Sequence, residues 1–174
     1  MWICTKRNCN GRRGKMKSGR ILLWVFVGLL LIGGATMAIK LVRGLRNNNP
    51  GNIEKGIAWK GIDTAKTAAE SRFIVFTAPE WGIRAMARLL KNYARLYSLN
   101  TVAGIINRWA PPSENNTGAY VAAVANALKV APNSVIDIAA RLPDLLRAII
   151  THENGTQPYS DATIREGVRL EGAA

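Results

Sequence analysis

Residues 145–155 read LLRAIITHENG: a helix-period apolar run meets a single carboxylate, Glu153, directly before an Asn-Gly pair that stops helices. With about 100° per residue, Leu145, Leu146, Ile149 and Ile150 form one stripe, and Glu153 falls near its middle. Pro143, at a first turn, opens this helix. An acid so placed faces the core or a cleft wall, where desolvation and the negative end of the helix dipole both act against its charged form. A carboxyl group that keeps its proton is what a general acid for glycosidic cleavage requires. The bland alternative is a glutamate that frays into solvent past the last turn or pairs with an arginine.

Upstream, the sequence from Arg43 onward is long enough for one compact core. RGLRNNNPGNIEKGIAWKG (43–61) is turn chemistry, rich in Asn and Gly. RFIVF (72–76) is the best strand candidate, with IAWKGI (57–62) as a weaker hairpin partner. Helices follow. Thr77 and Glu80 read as a capping box for a long helix from Pro79 to Tyr97, and Thr101 caps a short one that RWAPP ends. Asn116 or Thr117 caps the next, through Leu128, and Ser134 another short one. The fold class expected is mainly α with a small β-hairpin.

The 19 residues from Ile21 to Ile39 carry no charge and, at about 1.5 Å per residue, match the hydrocarbon core of a bilayer. The chain therefore divides into a basic cytoplasmic tail (1–20), a transmembrane helix (21–39) and an outer domain (40–174). A cleaved signal peptide is the rival reading, but the apolar run is too long and lacks a good cleavage site. The formal charge is +13, and up to Arg46 there are ten basic residues and no acidic ones. That distribution suits a lipid head-group region, and nucleic acid is not the expected partner. Seven of those charges precede the span, which places the N-terminus inside. Cys4 and Cys9 both lie in the tail, so the outer domain has no disulfide; with His152 as the only histidine, no metal or cofactor is expected.

A helix ending in Glu, a small polar residue and Gly resembles the catalytic helix of the lysozyme superfamily, lytic transglycosylases and glucosaminidases in particular. The family's other parts have counterparts in NNNPGNI, WKG (59–61), FIVF (73–76), GIRAMARLLKNY and AYVAAV. Here the Glu helix comes last instead of first, an order that resembles a circular permutation. Separately, RGLRNNNPGNI and RWAPPSENNTGAYVAAV resemble a family of phage and prophage virion structural proteins. Together these resemblances imply a lysozyme-like domain behind a membrane anchor, with peptidoglycan, the bilayer and other virion proteins as partners.

On that reading Glu153 is the catalytic acid. Glu114 is the candidate second carboxylate, an inverting enzyme's base or a retaining enzyme's nucleophile. Asn48, Asn49, Asn52, Trp59 and Tyr120 would line the sugar-binding cleft, through amides for N-acetyl and hydroxyl groups and aromatic faces for sugar rings. Their ordinary alternatives are turn formers and core. Trp109 reads as a packing anchor, and His152 takes no catalytic role. Two function classes follow: a membrane-anchored, virion-associated enzyme that cleaves peptidoglycan, or a non-enzymatic structural membrane protein of a virion with the same fold. The localisation expected is single-pass, in a virion membrane or a bacterial inner membrane. In sealed vesicles, protease added outside should digest the domain after Lys40 and spare the tail. A tail cut first, carrying Cys4 and Cys9, would reverse the topology.

Overall fold

A computed structural model describes residues 43–113 and 115–173. The expected tail and span lie outside the described residues, as does Glu114. Among the described residues no helix is long and apolar enough to cross a membrane.

The described chain is mainly helical. After a helical turn at 43–46 come α1 (Thr64–Ala69), α2 (Pro79–Tyr97), α3 (Val102–Trp109), α4 (Thr117–Leu128), α5 (Ile138–Asn154) and α6 (Asp161–Gly172). The central element is α2, which buries Ile83, Ala85, Met86, Ala87 and Leu90 along its first three turns. Against it pack α5, with Leu142, Leu145, Leu146, Ile149 and Ile150 buried, and α6, whose Gly167 lies on Ile83. A Cβ at Gly167 would stand 2.5 Å from Ile83 Cγ2, so the missing side chain permits the close crossing. Arg84, almost fully buried on α2, faces Glu171 of α6 at 3.7 Å and donates to the Leu170 carbonyl at 3.3 Å.

Helix boundaries follow local capping, with three departures from expectation. Helix α5 starts at Ile138, five residues before Pro143, because the Asp137 carboxylate accepts from the Ala139 and Ala140 amides. Pro143 then sits inside the helix, and the carbonyl it leaves without an amide, that of Ala139, belongs to an exposed residue and is open to water. No capping box forms at α2. Its N-cap is Ala78, and Thr77 instead directs both its amide and its hydroxyl to the Gly61 carbonyl. Ser134 opens no helix; it precedes an isolated bridge between Thr101 and Val135. At the other end of α5, Gly155 takes the left-handed conformation that the Asn-Gly pair foreshadows.

The expected hairpin is reduced to two isolated antiparallel bridges, Glu54 with Phe73 and Ile62 with Phe76. The reason lies in who pairs with residues 73–76. Asn49 Nδ2 donates to the Ile74 carbonyl at 2.9 Å, Asn48 Nδ2 to the Phe76 carbonyl at 3.0 Å, and the Asn47 carbonyl accepts from the Phe76 amide. Thr67 of α1 exchanges both hydrogen bonds with Val75 through its hydroxyl. Side chains thus supply part of the pairing that a partner strand would give, beside backbone bonds to Ile53, Lys55 and Asp63, and α1, capped by Asp63, stands between the two segments expected to pair.

Gly82 on α2 marks where the asparagine loop meets the helix. A Cβ there would fall 2.1 Å from the Asn48 carbonyl oxygen, a backbone atom. Gly82→Ala should therefore cost about 2 kcal/mol or more of stability in urea denaturation, since the collision cannot be relieved by a rotamer change. A loss within about 0.5 kcal/mol would show that the loop moves aside freely.

Candidate functional site

Three elements remote in sequence converge on the carboxylate that ends α5. Trp109 Nε1, from the last residue of α3, donates to Glu153 Oε1 at 3.1 Å, and the Tyr120 hydroxyl of α4 donates to the same oxygen at 2.9 Å. Asn52 Nδ2 donates to Oε2 at 3.1 Å. Oε1 thus has two donors, one for each lone pair, while Oε2 has one. Among the described residues Glu153 neither frays into solvent nor pairs with an arginine.

Each donor is itself held. The Tyr120 ring is buried and stacks on His152 with centroids 3.6 Å apart and 17° between planes. Burial pushes the Tyr120 hydroxyl far up, and the Glu153 carboxylate beside it adds to the effect, so Tyr120 stays protonated and remains a donor. His152 is shifted down by burial, which outweighs the opposing pull of Glu153, and is neutral at neutral pH. Trp109 meets Tyr93 edge to face at 6.5 Å, and Gly51 lies against its Cζ2 atom. Asn52 takes a left-handed φ of 50°, a conformation asparagine tolerates better than most residues.

The loop that carries Asn52 is bound to the helix end by the next residue along α5. Asn154, 1% exposed, donates through Nδ2 to the Pro50 carbonyl at 2.9 Å and to the Ile150 carbonyl at 2.9 Å. Gly44 packs close by, where a Cβ would collide with Asn154 Oδ1 at 2.7 Å.

Glu153 opens onto a cavity of about 540 Å³ whose walls include Asn52, Glu54, Arg72, Phe73, Tyr93 and Trp109. A second cavity, about 700 Å³, lies between α4 and α5 and reaches His152 but not Glu153. The first combines an acid oriented by three donors with aromatic faces and amides. Among the described residues no cluster of side chains could hold a metal ion.

The sequence candidates are distributed as follows. Tyr120 and Asn52 touch Glu153 directly. Asn48 and Asn49 are spent on backbone carbonyls, and Asn49 is fully buried, bonded to both Ile53 and Ile74. Trp59 is half-buried against the core, away from the walls of the Glu153 cavity, and its Nε1 has no hydrogen-bond partner among the described residues. Sequence reasoning passed over Trp109 as a ligand of the acid, Asn154 as the clasp, and Glu54 and Arg72 as cavity residues. Only Asn154 had a signal, its place beside Glu153 before a helix-stopping glycine. Glu54 is engaged by Arg72, whose Nε donates to it at 2.7 Å.

Asn154→Ala should cost about 2 kcal/mol in urea unfolding, since the Pro50 carbonyl, between two buried residues, would lose its donor and the buried amide would leave a void. A variant as stable as the parent would show the clasp to be dispensable.

No family model matches this chain. It is similar to a protein called "Protein P5" from Pseudoalteromonas phage PM2, with 37% identity over 159 residues that cover 87% of this chain and 96% of the relative.

Proposed function

This chain belongs to the family of that phage protein, and from that premise we propose that it is a membrane-anchored, virion-associated protein that cleaves the glycan strands of peptidoglycan. The observation that carries the reading is the convergence of Asn52, Trp109 and Tyr120 on Glu153 at the wall of a cavity. A carboxyl group so fixed is oriented before substrate arrives, which is what general acid catalysis needs from geometry. The proposed fold is lysozyme-like, with the helix that bears the acid placed last in the chain.

In the proposed reaction Oε2, the oxygen with a single donor among the described residues, delivers the proton to the glycosidic oxygen as the bond from the anomeric carbon breaks. The carboxylate left behind is stabilised by its three donors. It then accepts a proton as either the sugar's own 6-hydroxyl or a water attacks the anomeric carbon, which returns the acid to its starting state. Phe73, Tyr93 and Trp109 supply apolar surface for sugar rings, and Asn52 supplies an amide. Glu54, on the same cavity, is committed to Arg72 and is the weaker second carboxylate. Among the described residues that arrangement favours the single-acid route, a lytic transglycosylase.

Glu153→Gln keeps the shape but has no proton to transfer, and should lower clearing of purified peptidoglycan at least about 10²-fold. Folding should be nearly intact, because the Gln oxygen can face Trp109 and Tyr120 while the Asn52 amide turns over to accept from its nitrogen. Glu54→Gln and Glu114→Gln should cost far less, and the products should carry anhydro-muramic ends. Reducing ends would mean a hydrolase. A folded wild type that clears nothing at any pH would leave the structural virion protein as the reading.

A further inference from the structure

We propose that Arg108, held over the rings of Tyr97 and Tyr93 beside the Glu153 cavity, is a carboxylate receptor that makes the protein prefer acidic glycan strands to neutral ones. For the kind of polymer bound, the proposal rests on the reading of Glu153 given above. The geometry begins on α2. Leu89, Tyr93 and Tyr97 recur at i, i+4 and i+8, a second stripe beside the one that enters the core through Ile83, Met86 and Leu90. Leu89 and Tyr93 line the Glu153 cavity. Tyr97, 50% exposed, continues the row past the cavity wall.

Helix α3 brings two consecutive residues to this row. Trp109 meets Tyr93 edge to face and donates to Glu153. Arg108, one position earlier, puts its guanidinium carbon 3.6 Å from the Tyr97 ring centroid and 5.2 Å from that of Tyr93, and the two tyrosine rings meet edge to face at 6.5 Å. An unbroken series of contacts therefore joins the cation to the acid, through Tyr93 and Trp109. A surface cation–π contact is worth about 0.5–1 kcal/mol, enough to bias the orientation of a guanidinium while leaving its charge unneutralised. Arg108 makes no ion pair and no side-chain hydrogen bond with the described residues, so its in-plane N–H groups are open to a planar acceptor.

The neighbouring sequence supplies no counter-ion. Residues 81–113 hold five basic side chains, Arg84, Arg88, Lys91, Arg95 and Arg108, and no acidic one. Glu171 of α6 answers Arg84 and Arg88 but not Arg108. An oriented guanidinium next to aromatic faces suits a ligand that is both a sugar chain and an anion. Peptidoglycan is such a polymer, with carboxylates on the lactyl group of muramic acid or on the stem peptide attached there. Chitin has a similar backbone and none of these groups.

The test measures binding of soluble strands to the full chain in detergent, in a Glu153→Gln background that leaves the strands uncut. The ligands are strands with stem peptides, strands stripped of them by an amidase, and chito-oligosaccharides of equal length. Arg108→Gln should weaken binding to the acidic strands about tenfold, as expected for one charge-assisted contact, and leave the weaker chito-oligosaccharide binding unchanged. Arg108→Lys keeps the charge without the planar fork and should recover part of the loss. Tyr97→Ala should weaken the acidic strands selectively too, because the guanidinium loses its support. Loss on peptide-bearing strands assigns the carboxylate to the stem, and loss on stripped strands, where the lactyl group is free, assigns it to muramic acid; either supports the receptor. Equal loss on acidic and neutral strands, no loss on either, or no binding of acidic strands before Arg108 is changed overturns it. Clearing of peptidoglycan by the wild-type chain reports on Glu153 separately. A chain that clears it, and whose strand binding is untouched by Arg108→Gln, loses the receptor and keeps the enzyme. A chain that binds acidic strands through Arg108 and clears nothing loses the enzyme and keeps the receptor as a wall-binding site.

Discussion

Asparagine amides complete the pairing of the extended segment 72–76, beside backbone bonds to Asn47, Ile53, Lys55 and Asp63, and the rest of the structure depends on that arrangement. Asn48 and Asn49 pair with the backbone of Ile74 and Phe76, which a buried extended segment must have satisfied somewhere. The same loop passes its Pro50 carbonyl to Asn154 and its Asn52 amide to Glu153. One short stretch thus joins the extended segment, α2 at Gly82 and the end of α5. A two-stranded hairpin would be marginal alone and would offer no side-chain amides to the acid. The buried amides are nearly all satisfied, the condition under which such a network rigidifies a site.

The placement of Glu153 shows how a helix end and its surroundings divide the labour. The apolar stripe of α5 and the left-handed Gly155 determine where the carboxyl group emerges. Its orientation comes from elsewhere, through donors on α3, α4 and the asparagine loop. His152 contributes indirectly, as a neutral ring stacked on Tyr120, which buries the phenol and holds it as a donor. The proposed chemistry needs such prior alignment, because an acid free to rotate would lose much of the benefit of proximity.

Membership in a phage protein family and the strongly basic start of the chain fit a protein that works at a boundary. The Glu153 cavity is a polar and aromatic concavity of the domain.

The sequence by itself determined the helices with strong local signals: α3 and α4 through Thr101 and Asn116, and the end of α5 through Asn-Gly. It also marked Glu153, because period and stop signal are local properties of the chain. The start of α5 was misjudged because Pro143 suits a first turn, whereas Asp137 is the stronger cap and an exposed carbonyl tolerates the proline. The hairpin failed for a similar reason: strand propensity in RFIVF was legible, but the identity of its hydrogen-bonding partners was not. Those partners, like Trp109 and Tyr120 on the acid, stand tens of residues away along the chain and leave no periodic trace. Which asparagines are spent on backbone and which one reaches the carboxylate is a matter of long-range packing, and only the tertiary structure decided it.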